Sequence, residues 1–222
     1  MKKFENFPFN SFLTFAFTFL FSLNLFAQKE YSPELLFPEF KRGIITFTNG
    51  SVHETDLNYV TTLESMVIKE GEKYLLIRKT SDITMISIDG RLFLRGPGTR
   101  FYEQIETQGI PFYVQHRKQI ISQGKAVAYG VYSATAAVSG AQYETVYDPF
   151  VDKKVDQKFE MKSNNLFHVK QKQKFVMIQN QKRLASTLGV SAKTLEAYMK
   201  ANSLNCKSSD DLLVVFNHFA AE

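Results

Sequence analysis

The sequence predicts an α+β protein, in which an antiparallel β-meander curls into a sandwich or partial barrel and precedes a small C-terminal helical segment. Short runs of β-branched and aromatic residues alternate with turn residues between positions 43 and 122. No connection in that stretch has the length of about a dozen residues that a parallel crossover needs, so the strands are expected to be antiparallel. After position 180 the apolar residues recur every three or four positions, which is the period of an α-helix.

The first 28 residues are typical of a signal peptide. Lys2 and Lys3 give a basic start, Phe12 to Phe26 is an almost unbroken apolar run, and Ala27 is a small residue at which a signal peptidase can cut. The run is shorter than the ~20 residues of a membrane-spanning helix. We therefore expect export to the periplasm, the cell surface or the medium, and no transmembrane helix after cleavage; an uncleaved anchor is the alternative.

An extended lead-in over residues 29–42 is followed by a β-rich domain over residues 43–180. Asn49-Gly50 between two strand-like runs is a strong hairpin signal, because a type I′ turn needs positive φ at both central residues. Asp89-Gly90 marks a second tight turn. The strand at 74–79 is apolar on both faces and is therefore expected to lie centrally in the sheet. The predicted strands are 43–48, 51–59, 63–69, 74–79, 83–88, 91–95, 101–106 and 110–121.

A flexible surface loop is predicted near residues 124–150, where Gly, Ser and Ala are dense. Four tyrosines lie in it, and tyrosine combines a large contact area with a polar tip. We identify them as a candidate binding surface: Tyr129, Tyr132, Tyr143 and Tyr147.

Three alternating lysines, Lys170, Lys172 and Lys174, complete the candidate surface. On one strand they would share a face, because side chains alternate along a strand. Such a face can be a solvated sheet edge, where lysines prevent the addition of a further strand. Alternatively, it can bind an anionic lipid, glycan or nucleic acid.

The helical segment is expected over residues 181–222. Ser191 is a suitable N-cap for one helix, and we expect that helix to end at Asn202 or Asn205. Ser208-Ser-Asp-Asp211 has the pattern that precedes a further helix. One face of that helix is apolar and carries Leu212, Val215, Phe216 and Phe219.

Residues 182–204 also match the spacing of a helix-turn-helix DNA-binding motif. Their second helix carries an apolar stripe that requires burial, and the signal peptide takes the chain away from DNA. A structural helical hairpin explains the same residues, so nucleic acid is the least favoured partner.

The sequence contains no strong catalytic or metal-binding motif. His53, His116, His168 and His218 lack the paired spacing of metal sites. Neither a G-x-S-x-G elbow nor a phosphate-cradling glycine loop is found. Cys206 is the only cysteine, so no intramolecular disulfide can form. We accordingly expect no cofactor and no metal.

Several segments are similar to a group of exported, uncharacterised proteins of Bacteroidota. They are Asn49-Gly50, Leu57-Asn58-Tyr59, Ile88–Leu94, Phe112–Arg117, Ser122–Lys125, Ala128–Ser133, Ala197–Asn202 and Asp210–Leu213. Members of that group pair a signal peptide and a β-rich body with a charged helical C-terminal segment. The resemblance implies this organisation and no known activity.

These observations favour an exported, non-catalytic binding or structural module of the cell envelope, whose partner is an envelope component or another exported protein. The alternative is a secreted or periplasmic hydrolase with a site assembled in space. Convergent acids in a pocket, or a histidine with a strongly perturbed pKa, would favour the hydrolase. A filled sheet interior would favour the binding module.

Overall fold

The computed structural model describes residues 34–126, 132–133 and 157–220, with side chains in the ranges 34–121 and 160–220. The predicted signal peptide lies outside these residues, as does most of the predicted loop. The strands are β1 (Lys41–Phe47), β2 (Val52–Val60), β3 (Ser65–Glu70), β4 (Lys73–Leu76), β5 (Ile83–Ile88), β6 (Arg91–Arg95), β7 (Phe101–Ile105), β8 (Phe112–Gln115), β9 (Lys118–Ala126), β10 (Tyr132–Ser133), β11 (Gln157–Ser163), β12 (Leu166–Gln171) and β13 (Lys174–Met177). The helices are α1 (Gln181–Leu188), α2 (Ala192–Ala201) and α3 (Ser209–Ala220).

Ten strands form one open sheet in the order β13-β12-β8-β7-β6-β5-β1-β2-β3-β4. Each neighbouring pair is antiparallel, which confirms the predicted α+β class. The chain runs from β1 to the edge at β4, then returns to place β5 on the other side of β1. The sheet is therefore two meanders joined at β1. Strands β9, β10 and β11 form a separate small sheet.

Both predicted glycine turns join neighbouring strands, but their geometries differ. Asp89 and Gly90 have φ values of 51° and 75°, so both central residues are left-handed, as a type I′ turn requires. In the β1–β2 turn only Gly50 is left-handed, with φ of 83°. The amide of Gly50 donates to the carbonyl of Phe47, and the amide of Phe47 donates to the carbonyl of Ser51. This hairpin is confirmed, with a longer turn than type I′.

Two strand predictions need correction. Strand β4 lies at the sheet edge, and Leu75 within it is 43% exposed, so the expectation of a central strand was wrong. A four-residue apolar run has the same composition at an edge as in the centre. The strand predicted over 110–121 is interrupted at His116 and Arg117, yet its register continues across the break. Gln115 faces Leu166 before it, and Lys118 faces Ser163 after it.

One face of the sheet curls upon itself between β2 and β7. Tyr59 of β2 stacks on Phe93 of β6 with ring centroids 6.0 Å apart, although β1 and β5 lie between these strands. The enclosed core is filled by Phe37, Ile45, Leu57, Tyr59, Met66, Ile77, Ile83, Ile86, Ile88, Phe93 and Phe101. The lead-in contributes Phe37, whose amide and carbonyl both bond to the side chain of Asn58. This curled core has the form of a partial barrel.

The same face is covered by helices at the β8–β12–β13 end. Phe112 of β8 stacks on Phe216 of α3 with centroids 5.1 Å apart. The predicted apolar face of α3 is confirmed, because all four of its residues are buried. Ser191 caps α2 by accepting from the amide of Thr194, and Asn202 is the C-cap of α2, as expected. Buried members of this helix-covered core are Phe112, Val114, Phe167, Val169, Ile178, Leu184, Ala185, Leu195, Met199, Leu212, Val215, Phe216 and Phe219.

Candidate functional site

The three lysines of the candidate surface lie at the tip of the β12–β13 hairpin and are exposed. Lys172 occupies the turn itself, with φ of 47°. Lys170 faces Phe175, and Lys174 faces Gln171, so these two lysines project from opposite faces. The expectation of a shared face was wrong, because the chain reverses between them. The side chains of the four tyrosines lie outside the described residues, so that part stays a prediction.

A buried ion cluster links β6, β7 and the end of β8. The guanidinium of Arg91 donates from Nε to Oε1 of Glu103 at 2.5 Å and from Nη2 to Oε2 at 2.5 Å. Nε2 of His116 lies 2.5 Å from the same Oε2. The Glu103 side chain is only 7% exposed, and that of His116 is 12% exposed. The edge of the His116 ring meets Tyr59, with centroids 6.1 Å apart, so the cluster borders the curled core.

The cluster is arranged to hold a charge rather than to move a proton. Burial would raise the pKa of Glu103, but hydrogen bonds from His116 and Arg91 outweigh it and lower that pKa to about 2. A general base works best with a pKa near the operating pH. Both oxygens of Glu103 are already occupied by Arg91 and His116. The geometry therefore supports a structural ion network.

The sequence patterns did not identify the cluster of Arg91, Glu103 and His116. The available signal was register: Phe93 faces Glu103, and Glu103 faces Val114. Arg91 and His116 lie two residues along from those partners and share their face. Opposite charges on one apolar face of adjacent strands indicate a buried ion pair, but only once the strand order is known.

A second ion cluster is built around Glu64 in the β2–β3 turn. Oε2 of Glu64 lies 3.0 Å from Nε of Arg100, and Oε1 lies 3.1 Å from Nε of Arg117. The side-chain amide of Gln115 also donates to Oε2. The amide of Lys118 donates to the carbonyl of Thr61 at 3.2 Å. These contacts tie the turn after β2 to the strand ends of β7 and β8 without strand pairing.

A groove of about 980 Å³ lies between the β11–β12 turn, the start of α1 and the α2–α3 connection. Phe167 and Ile178 lie on its floor. Hydrogen-bonding amides dominate the lining: Asn164, Asn165, Gln179, Asn180, Gln181 and Asn205. Lys182 and Lys207 add two ammonium groups. Among the described residues that line it there is no carboxylate and no imidazole.

Cys206 also lines the groove and is half-buried. Burial raises the pKa of its thiol, so the thiolate is a minor species at neutral pH. A catalytic cysteine needs the opposite shift, toward a lower pKa. The groove is therefore built for hydrogen bonding rather than for nucleophilic attack.

In the part of the chain that the structure describes, no group of three or more His, Cys, Asp or Glu side chains could hold a metal ion. No helix there is both long and apolar enough to cross a membrane. No family model, curated protein or solved structure matches the chain.

Proposed function

We propose that the chain is an exported, non-catalytic binding or structural module of the cell envelope, which holds an envelope component or another exported protein. The basic and apolar N-terminus supports export. The resemblance to exported proteins of Bacteroidota supports the same destination.

The amide-lined groove is the observation that carries the binding function. Asn165, Asn180 and Asn205 are engaged in local hydrogen bonds. The side-chain amides of Asn164, Gln179 and Gln181 can donate to and accept from a ligand. Lys182 and Lys207 favour a ligand with negative charge. A hydrolase would need a base, a nucleophile or a metal beside the bound substrate. The described residues of the lining offer amides, lysines, a serine and a thiol beside the apolar side chains. Binding without turnover is the chemistry that this lining supports.

Export is tested by expressing the full chain in a Gram-negative host and sequencing the N-terminus of the recovered protein. We expect a periplasmic or extracellular product that begins near Gln28 or Lys29. A cytosolic product that keeps Met1 would contradict export.

Binding is tested by retaining fractionated envelope glycans and envelope proteins on the immobilised mature chain. We expect the variant that combines Lys182→Glu and Lys207→Glu to lose most of the retention. The control is Lys193→Glu, which makes the same kind of charge change at an exposed position outside the groove on α2. Equal loss in the control would show non-specific charge attraction. Turnover of ester, peptide or glycoside substrates without any retention would favour the hydrolase alternative.

A further inference from the structure

Two arginines meet at one carboxylate beside the ends of β7 and β8. Arg100 precedes β7 and Arg117 follows β8, and their guanidinium groups contact the two oxygens of Glu64. Like charges held this close repel each other. Glu64 offsets this repulsion with one negative charge, so the group formed by Arg100, Arg117 and Glu64 keeps a net charge of +1. A second anion would remove the remaining repulsion.

Glu64 fixes the direction of both guanidinium groups. The carboxylate lies 3.0 Å from Nε of Arg100 and 3.1 Å from Nε of Arg117. Glu64 is itself held in a turn with φ of 53° and also accepts from Gln115. Among the described residues, Glu64 is the only ion-pair partner found for the N–H donors of Arg100 and Arg117. The two side chains are 49% and 36% exposed, so these donors are open to a ligand.

Two buried hydroxyl groups, one at the end of β2 and one in the turn after it, also lack partners. The hydroxyls of Tyr59 and Thr62 are buried without a hydrogen bond in the described structure. The pKa of Tyr59 is raised by its burial and by the charge of Glu64, whereas Arg100 and Arg117 act in the opposite direction. The Tyr59 hydroxyl therefore lies within electrostatic range of the cluster. A buried donor without a partner calls for an explanation such as a bound water or ion.

We propose that Arg100 and Arg117, oriented by Glu64, form a binding site for a phosphoryl group of an envelope ligand. Each guanidinium presents its remaining N–H groups as a planar fork that matches phosphate oxygens. Two forks suit an anion with three or four oxygens better than a carboxylate with two. The inference rests on the proposed envelope-binding function and adds a second site to it, at residues that do not line the groove.

The first test is a titration of the purified protein with inorganic phosphate at constant ionic strength, followed by NMR of the arginine Nε–H groups. We expect saturable shifts of the Arg100 and Arg117 resonances, and binding of acetate at least about tenfold weaker. Absence of saturable shifts, or equal binding of acetate, would overturn the site.

The second test replaces both arginines by lysine, which keeps the charge opposite Glu64 and therefore the fold, but removes the planar forks. We expect at least a tenfold loss of phosphate affinity in the double variant Arg100→Lys with Arg117→Lys. The matched control is Arg42→Lys, because Nε of Arg42 also contacts a carboxylate, that of Glu54, at 2.8 Å. The control should stay within twofold of the wild-type affinity. An unchanged affinity in the double variant would overturn the proposal.

The source of the phosphoryl group is separated by two further probes, a soluble sugar phosphate and vesicles containing phosphatidylglycerol. Binding of the sugar phosphate alone assigns a glycan or free phosphate, and binding of the vesicles assigns a lipid headgroup. Either result supports the site if the lysine double variant abolishes it, and an equal response of that variant overturns it. Failure of the phosphate titration would leave export and groove binding intact, because those are measured on separate samples and variants.

Discussion

The two ends of the main sheet bury the same face in different ways. Between β2 and β7 the sheet bends until its own side chains meet, as Tyr59 and Phe93 do. At β8, β12 and β13 the face stays open enough for three helices to cover it, with Phe112 against Phe216. Apolar burial stabilises both ends. The curled end borders the buried carboxylate of Glu103, whereas the buried side chains of the described helices α1–α3 are all apolar.

This difference shows what determines the relative positions of the helices and strands in each half of the sheet. The helices can dock wherever apolar area is removed from water, because hydrophobic burial has no direction. A curled sheet must in addition bring particular strands together. The ion pairs of Glu64 with Arg100 and Arg117 join the turn after β2 to the ends of β7 and β8, which strand pairing leaves apart. The ion pairs of Glu103 with Arg91 and His116 instead join neighbouring strands.

Truncation of Phe216 should have the largest effect and tests the helix-covered end. We expect Phe216→Ala to lower the free energy of unfolding by about 3–5 kcal/mol, because the side chain is fully buried. Hydrogen exchange should rise most in α1–α3. Phe93→Ala is the matched control in the curled core. We expect a similar loss of unfolding free energy, but with hydrogen exchange rising most in β5–β7. Identical exchange patterns in both variants would show that the two ends unfold as one unit.

Removal of the buried carboxylate tests the curled end. We expect Glu103→Ala to cost about 3 kcal/mol in urea unfolding, since Arg91 and His116 lose their shared acceptor. Arg91 is one-third exposed and can still reach water, which keeps the loss at the lower end of the usual range. Glu54→Ala is the control, because its ion pair with Arg42 is exposed, and it should cost less than about 0.5 kcal/mol. A similar cost for both variants would contradict the role of the buried cluster.

Acidification should weaken the curled end through the same carboxylate. Glu103 has a folded-state pKa of about 2 against an ordinary value of 4.5. Its contribution to stability is therefore fully present above that ordinary value and is lost as the pH falls toward 2. Relative to Glu103→Gln, we expect the wild type to lose up to about 3 kcal/mol between pH 5 and pH 2. Parallel curves for the two proteins, recorded by urea unfolding at each pH, would contradict this assignment.

Loss of a helix cap should have the smallest effect and tests whether the helices depend on local signals. Ser191→Ala removes the acceptor for the Thr194 amide and should cost about 1 kcal/mol in thermal or urea unfolding. Ser186→Ala, at an exposed position inside α1, is the matched control and should be neutral within about 0.5 kcal/mol. A neutral Ser191→Ala would mean that docking alone holds α2 in place.

Local features of the fold were predictable because neighbouring residues encode them. Asp89-Gly90 fixes its turn through backbone freedom, Ser191 caps α2 through its own side chain, and the stripe ending at Phe219 gives the buried face of α3. Each signal lies within a few residues. The positions of most strand boundaries follow from the same kind of information.

Features that depend on strand order were not predictable. The edge position of β4 and the return of the chain to β5 require distant strands to be placed first. The meeting of Arg91, Glu103 and His116 requires the register of three successive strands. The reversal between Lys170 and Lys174 was missed because Lys172 and Gln173 adopt left-handed backbone without a glycine to signal it. The export signal and the tyrosine surface remain predictions.

The interruption at His116 and Arg117 has a consequence for how this protein can vary. The chain leaves the main sheet there and rejoins it beside the point of departure, where the amide of Asn164 donates to the carbonyl of Arg117 at 2.9 Å. Lys118 and Ser163, the two ends of the intervening segment, pair with each other directly after this contact. We expect a change in the length of that segment to leave the pairing of β8 with β12 in place, because the cost of closing a loop grows slowly with its length.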